Sequence, residues 1–294
     1  MLTPPRTDQE MLDLLLSVAR TDVRIRAVWL SGSRVDPAAT QDRFNDFDVI
    51  YLVDGLPSMV QDDSWLEPFG PPLIVQRPDD WFNHPYDLTS HSNFAYLMYF
   101  PDGQRIDLTL IALEHIQSVL NDSEPEPRRI LLDKEGILGL NDVPAGQFGR
   151  VFPPGEREFA DTCNEFWWLS LSAAKGIERG EVLSAKTLIE RYQLDMLLQV
   201  LAWKAGVERG FPLACGKFFK YLPRLLKPED ERRLMGVLAP HQRGGQWPQL
   251  LEMGVFFSEA VNEVAAALAL RYDAAQTGEV LLELERLRSG PGSP

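Results

Sequence analysis

The stretch AVWLSGSRVDPAATQDRFNDFDVIYLV, residues 27–53, decides the fold and the chemistry that we expect of this chain. Its two ends are short apolar runs bounded by polar and turn-forming residues, a pattern that predicts two buried strands. Asp46 and Asp48 stand at the start of the second run. Because side chains alternate between the two faces of an extended chain, we expect both carboxylates on one face and Phe47 in the core.

The two carboxylates and the turn before them suit a site for phosphates and a divalent ion. Mg²⁺ prefers carboxylate oxygens together with phosphate oxygens. In the turn at 31–34, Gly32 lets the backbone approach an anion closely, and the N–H groups that follow, from Ser33 onward, open a predicted helix. Arg34 adds a positive charge, so the turn is predicted to contact phosphates.

A third acidic residue lies in the segment 105–110, where apolar and polar side chains alternate strictly. This alternation predicts a strand whose apolar residues face the core, while Asp107 lies on the opposite side, where a neighbouring strand could present Asp46 and Asp48. Asp107 is then a metal ligand, a general base for an attacking hydroxyl, or both. An isolated Asp-x-Asp recurs by chance. The ordered set of strand, turn, acid pair and third acid is far more specific and indicates nucleotidyl transfer.

Composition describes a globular protein. The chain has 294 residues, 45% of them hydrophobic, but no apolar run near the ~20 residues that span a bilayer. The N-terminus lacks the basic and then apolar layout of a signal peptide, so we expect a cytoplasmic protein without a membrane partner. Its two cysteines, Cys163 and Cys215, and its four histidines show no zinc-ligand spacing.

The formal net charge of −14 bears on the partners. A protein that grips nucleic acid needs concentrated Lys and Arg to displace counterions from phosphates, so we expect no nucleic-acid partner. An acidic surface attracts cations, which favours a cationic small molecule as acceptor. The sequence leaves the oligomeric state open, and a monomer is compatible with it.

The order of predicted elements indicates an α+β protein, with an N-terminal mixed sheet and flanking helices followed by an α-helical bundle. We place the first domain at 1–140 and a Gly- and Pro-rich linker at 141–155. The helical domain is predicted at 156–287, and the tail 288–294 is predicted to be disordered.

Several elements are predicted individually. Apolar spacing favours an N-terminal helix at 10–19, and the turn at 101–103 favours a hairpin of antiparallel strands. Further helices are predicted at 228–238, 247–270 and 278–287.

With these residues in place, nearly the whole chain resembles the aminoglycoside 6-adenylyltransferase (streptomycin adenylyltransferase) family of the polymerase β-like nucleotidyltransferase superfold. The matching stretches are 10–14, 24–28, 103–110, 164–168 and 216–217. The resemblance implies that ATP and Mg²⁺ are used to place AMP on the 6-hydroxyl of the streptidine ring of streptomycin, with release of pyrophosphate. It also implies antibiotic resistance as the biological outcome.

The resemblance assigns roles residue by residue. The predicted catalytic residues and metal ligands are Asp46, Asp48 and Asp107. The predicted contacts of the triphosphate are Gly32, Ser33, Arg34 and Lys217. The predicted contacts of the acceptor are Glu165, Asp161 and Trp168.

Two alternatives stay open at this point. The first is a nucleotidyltransferase of the same fold with a different small-molecule acceptor. The second is a nucleotide-binding module without catalysis. The second is disfavoured because a protein that only binds nucleotide has no use for a complete set of three acids.

Overall fold

The computed structural model describes residues 4–36, 39–83, 85–87, 92–121, 127–139, 150–239 and 245–289. Contacts within the chain divide it into two compact units, Met1–Phe148 and Gly149–Pro294. The first is built around a mixed sheet and the second is almost entirely helical, so the predicted α+β fold class is confirmed.

The first unit contains a six-stranded sheet in the order β3-β4-β5-β2-β1-β6. The strands are β1 Ile25–Leu30, β2 Phe47–Val53, β3 Ile74–Gln76, β4 Asn93–Tyr99, β5 Arg105–Ala112 and β6 Arg129–Asp133. β2 and β5 are parallel, and the other neighbouring strands are antiparallel. The antiparallel pairing of β4 with β5 confirms the predicted hairpin.

Helices cover both faces of this sheet. The α-helices are α1 Asp8–Thr21, α2 Leu56–Gln61 and α3 Ile116–Leu120, and short 3₁₀ turns occur at Gly32–Arg34, Ser64–Phe69 and Leu113–His115. α1 begins at a capping box, in which the Thr7 hydroxyl accepts from the N–H of Glu10 and the Glu10 carboxylate accepts from the N–H of Thr7. Met11 and Leu15 on α1 pack into the core of one sheet face, and Ile116 packs on the other. The predicted N-terminal helix is therefore confirmed, whereas α2 and α3 are too short to show a helical period in the sequence.

The second unit is a helical bundle with one small antiparallel pair, β7 and β8. Its elements are β7 Arg150–Val151, α4 Glu156–Glu178, α5 Val182–Thr187, a π-helical turn at Leu188–Gln193, α6 Leu194–Arg209, β8 Leu213–Ala214, a 3₁₀ turn at Lys217–Phe219, α7 Leu222–Leu225, α8 Pro228–Leu238, α9 Gln246–Leu268 and α10 Ala274–Ser289. The predicted helices at the C-terminal end match α8, α9 and α10 to within a few residues. Phe166 of α4 stacks on Phe257 of α9 with ring centroids 3.7 Å apart.

Two boundaries differ from the prediction. The predicted linker includes residues 150–151, which form β7; its residues 141–149 lie outside the described part of the chain. The predicted disordered tail includes Arg288 and Ser289, which form the last turn of α10, because helical hydrogen bonding continues past the last apolar position. The rest of the tail, 290–294, is outside the described residues. None of the described helices is both long enough and apolar enough to cross a membrane.

A group of three charged side chains, two of them buried, joins three helices of the bundle. Lys204 of α6 contacts Asp230 of α8 at 2.8 Å and Glu263 of α9 at 3.0 Å, and Lys204 and Asp230 are almost fully buried. Burial alone would lower the pKa of Lys204, but its hydrogen bonds to Asp230 and Glu263 outweigh burial and raise that pKa. Lys204 therefore stays charged inside the bundle.

We expect Lys204→Met to destabilise the helical unit by about 3–5 kcal/mol, because Asp230 is left as a buried charge without its partner. Urea unfolding followed by far-UV circular dichroism measures this change. The matched control is Lys186→Met, which removes an exposed pair with Glu190 and should cost roughly 0–1 kcal/mol. Equal destabilisation by the two variants would contradict the role of Lys204 as the partner of a buried charge.

Candidate active site

Asp48 and Asp107 lie side by side in the middle of the sheet. The parallel register of β2 on β5 pairs Asp48 with Asp107 and Phe47 with Ile106. Phe47 and Ile106 are fully buried, so the two acids leave the sheet on the opposite face. The predictions that Phe47 enters the core and that a neighbouring strand brings Asp107 beside the acid pair are confirmed.

Gly32 allows the turn after β1 to pack directly against Asp48. Its φ is +66°, in the left-handed region, and a Cβ built there would stand 2.0 Å from the Asp48 Oδ2. The N–H of Ser31 also donates to the backbone carbonyl of Asp48 at 2.9 Å. The turn and Asp48 therefore pack so closely that only glycine fits at position 32.

Arg105 bridges two of the three acids. Its Nε and Nη2 donate to the two carboxylate oxygens of Asp107 at 2.8 and 2.7 Å, and its Nη1 lies 3.3 Å from the Asp46 Oδ2. Hydrogen bonding to Asp107 raises the pKa of Arg105, and the charges of Asp46 and Asp48 raise it further. Arg105 is not among the residues predicted for the site, although its position two residues before Asp107 on an alternating strand places both on one face.

Asp46 stands just before β2 and is partly buried. Burial raises the pKa of Asp46, the neighbouring charge of Asp107 adds to that rise, and Arg105 and Arg34 act in the opposite direction. The cluster is thus a set of mutually repelling carboxylates around one guanidinium.

Arg34 is turned towards the loop that precedes β2. It donates to the carbonyls of Asp46 and Asn45 at 3.0 and 2.8 Å and to the Asp8 carboxylate at 2.8 Å, and its guanidinium stacks 3.6 Å from the centroid of the Phe47 ring. In this arrangement Arg34 fixes the entrance to β2.

Ser33 belongs to the same network. Its hydroxyl accepts a hydrogen bond from the side-chain amide of Asn45 at 2.9 Å, and its carbonyl accepts one from Gln41 at 2.7 Å. The assignment of Gly32, Ser33 and Arg34 to the triphosphate stays a prediction, for which the structure supplies a rigid turn next to Asp48.

The donor chemistry of the acid cluster fits a hard divalent cation, since three carboxylates converge on one side of the β2–β5 pair. Among the described residues, however, no three side chains of His, Cys, Asp or Glu stand close enough together to hold an ion as they are. Arg105 lies between the carboxylates of Asp46 and Asp107. An ion at this site would take the place of the guanidinium.

The helical unit contains a cavity of about 750 Å³ along α4 and the segment that leads into α10. Asp161 and Trp168, both predicted acceptor contacts, line it together with Asp273 and Arg271. The Trp168 side chain is 67% exposed, so its ring is available to a ligand. Glu165, the third predicted contact, is exposed on α4 and is not among the residues that line the cavity.

Lys217 opens a short turn after β8. Its side chain is exposed, and its Nζ lies 5.3 Å from the centroid of the Phe218 ring. Phe218 and Phe219 both have positive φ, of 55° and 57°, a conformation that L-residues with bulky side chains rarely adopt. Such strain concentrates at ligand-binding sites, but the predicted phosphate contact of Lys217 stays a prediction.

The family of this chain follows from its similarity to known proteins. The family model described as streptomycin adenylyltransferase matches residues 5–285. The chain belongs to the streptomycin adenylyltransferase family. The resemblance inferred from the sequence is thereby confirmed, and the chain belongs to a family of nucleotidyl-transferring enzymes.

Individual relatives agree with the family. The chain is 32% identical over 267 residues to an aminoglycoside 6-adenylyltransferase of Bacillus subtilis (strain 168), covering 91% of this chain and 93% of that protein. It is 33% identical to an aminoglycoside 6-adenylyltransferase of Campylobacter jejuni, covering 91% of each. A crystal structure of an aminoglycoside 6-adenyltransferase from Bacillus subtilis is 29% identical and superposes with a TM-score of 0.48, covering 97% of this chain and 100% of that one.

The contact between Gly32 and Asp48 gives a test of the site in this family member. We expect Gly32→Ala to lose nearly all transfer activity, because the new Cβ must push the Asp48 carboxylate away, in addition to a backbone cost of about 1–2 kcal/mol. Steady-state turnover and thermal unfolding measure the two effects separately.

The matched control is Gly103→Ala in the β4–β5 hairpin. Gly103 has a φ of +84°, but a Cβ there meets nothing within 4 Å. This variant should show the backbone cost and keep its activity. Equal turnover in the two variants would show that the position of Asp48 does not depend on Gly32.

Proposed function

We propose that this enzyme transfers the AMP group of ATP to the 6-hydroxyl of the streptidine ring of streptomycin. The bond between the α- and β-phosphates breaks, a new ester bond forms at the α-phosphorus, and pyrophosphate leaves. The observation that supports this most strongly is the register of β2 on β5, which aligns Asp48 with Asp107 beside the Gly32 turn. Family membership and the names of the relatives support adenylyl transfer to an aminoglycoside.

In this proposal the chain's own groups have separate tasks. Asp46, Asp48 and Asp107 would hold Mg²⁺, and the turn that begins at Gly32 would contact the triphosphate. A bound divalent ion would neutralise charge on the phosphates and stabilise the oxygens that enter and leave phosphorus. Asp107 also accepts the proton of the attacking hydroxyl, since a carboxylate positioned beside the reacting group can act as a general base. Lys217 of the helical unit is the proposed additional contact of the triphosphate.

The acceptor end of the reaction is assigned to the helical unit. Streptidine carries two guanidinium groups. Carboxylates bind a guanidinium through paired hydrogen bonds, and aromatic rings bind it through cation–π contacts. The cavity on α4 offers both kinds of partner in Asp161 and Trp168. Glu165, exposed on the same helix, is proposed as a further carboxylate for the second guanidinium.

The proposed reaction is tested by incubating the protein with ATP, Mg²⁺ and streptomycin and analysing the product by mass spectrometry and NMR. We expect adenylylated streptomycin with AMP on the 6-hydroxyl. Asp48→Asn should lower turnover at least about a hundredfold, because the amide keeps the shape of the side chain but not the charge that binds the ion.

Two other outcomes would contradict separate parts of the proposed function. If a panel of aminoglycosides yields AMP transfer to another compound or another hydroxyl, the acceptor assignment is wrong and the chemistry stands. If Asp48→Asn turns over like the unaltered protein, the acid cluster is not the catalytic centre.

The acceptor site is tested by three variants of α4. We expect Asp161→Asn and Glu165→Gln to raise the KM for streptomycin roughly three- to tenfold, because each removes a partly exposed charge worth about 1 kcal/mol to a guanidinium. The KM for ATP should stay unchanged. Glu158→Gln is the matched control for Asp161→Asn, since Glu158 is an exposed acid of the same helix that, unlike Asp161, does not line the cavity. If all three variants raise the KM for streptomycin equally, the change comes from the net charge of the protein and not from a contact with the acceptor.

A further inference from the structure

We propose that Arg105 is the built-in counter-cation of the acid cluster, which holds Asp46 and Asp107 in the metal-free enzyme and competes with the divalent ion for them. Arg105 is thus a positioning residue that sets the metal affinity. This inference rests on the proposed role of Asp46, Asp48 and Asp107 as metal ligands.

The geometry of the bridge supports competition. Arg105 engages both carboxylate oxygens of Asp107, and a third nitrogen of the same guanidinium approaches Asp46. These are the oxygens that an ion would need, and two cations cannot share them without strong repulsion.

Burial distinguishes this bridge from the structural ion pairs of the protein. In the Lys204–Asp230 pair both side chains are at most 8% exposed, so the lysine cannot leave without a large loss of free energy. The Arg105 side chain is 40% exposed, and its partners Asp46 and Asp107 are 35% and 20% exposed. The guanidinium is therefore far less buried than Lys204 and can move into water when an ion binds, at a smaller cost.

The position of Arg105 explains why the acids stay together before an ion arrives. Asp48 and Asp107 are aligned by the sheet, and the charges of Asp46 and Asp107 repel each other. A guanidinium is always protonated and its planar fork matches a carboxylate. Arg105 therefore holds Asp46 and Asp107 near each other through its contacts with both carboxylates.

The test is a titration with Mn²⁺ in the absence of nucleotide, with free Mn²⁺ measured by electron paramagnetic resonance. We expect Arg105→Gln to bind Mn²⁺ about tenfold more tightly than the unaltered protein, because one opposing charge next to the site is removed. Arg105→Lys keeps the charge but not the fork, and we expect an intermediate affinity. Asp48→Asn should lose the binding.

The matched control is Arg6→Gln. Arg6 also uses two guanidinium nitrogens to bind an aspartate, Asp102, within the same unit, but Asp102 is not one of the three acids. Its removal should lower stability and leave the Mn²⁺ affinity unchanged.

A second measurement is the melting temperature. Without metal, Arg105→Gln should melt at a lower temperature than the unaltered protein, since Asp46 and Asp107 lose their counter-cation. Saturating Mn²⁺ should raise its melting temperature by more than it raises that of the unaltered protein, because the variant binds the ion more tightly.

The outcomes separate the inference from the proposed function. Unchanged or weaker Mn²⁺ binding by Arg105→Gln, with binding still lost in Asp48→Asn, overturns the counter-cation role and leaves the metal site standing. If Arg105→Gln shows no cooperative melting, the Mn²⁺ affinity of Arg105→Lys is used instead. A Mn²⁺ affinity of Arg105→Lys equal to that of the unaltered protein then overturns the counter-cation role. Undiminished Mn²⁺ binding by Asp48→Asn overturns the metal assignment on which both proposals rest.

Discussion

The parallel pairing of β2 with β5 is the interaction on which the candidate site depends. It extends from Phe47 and Ile106 to Val53 and Ala112 in continuous register. A slip of one residue would turn every side chain of one strand to the opposite face. Asp107 would then enter the core in place of Ile106, at a large desolvation cost. The same apolar packing that stabilises the sheet therefore places the acids next to each other.

The cost of this placement is electrostatic. Carboxylates held side by side repel, and burial raises the pKa of Asp46 further. The protein counters this with fixed positive charge. Arg105 binds the carboxylates themselves, whereas Arg34 binds the backbone carbonyls of the loop that carries Asp46. One arginine thus neutralises the site and the other shapes its entrance.

The buried Lys204 pair and the exposed Arg105 bridge use charge in different ways. In the helical unit, Lys204 and Asp230 are almost fully buried between helices, and Lys204 also contacts the more exposed Glu263. In the sheet unit, the bridge made by Arg105 is open to water. A buried pair of this kind fixes helices relative to one another, while an exposed pair can be exchanged for a ligand. This difference in burial, rather than the number of ion pairs, separates the structural charges from those available for chemistry.

The sequence by itself determined the class of the fold and the acids of the candidate site, because both depend on local patterns. The alternation in 105–110 and the apolar runs around residues 27–53 specify strands, and the period of two puts Asp107 opposite the core. Helices with an apolar stripe along their length, such as α1, were predictable for the same reason, whereas the short helix α2 offered no period to recognise. Only the tertiary structure decided that β2 pairs with β5, that Asp48 packs on Gly32, and that Arg105 rather than Arg34 contacts the carboxylates. Apart from the contact of Arg105 with Asp107, those contacts join residues 16 to 59 positions apart. Pairing at that distance is set by how the whole sheet buries its apolar face, which no local stretch of sequence contains.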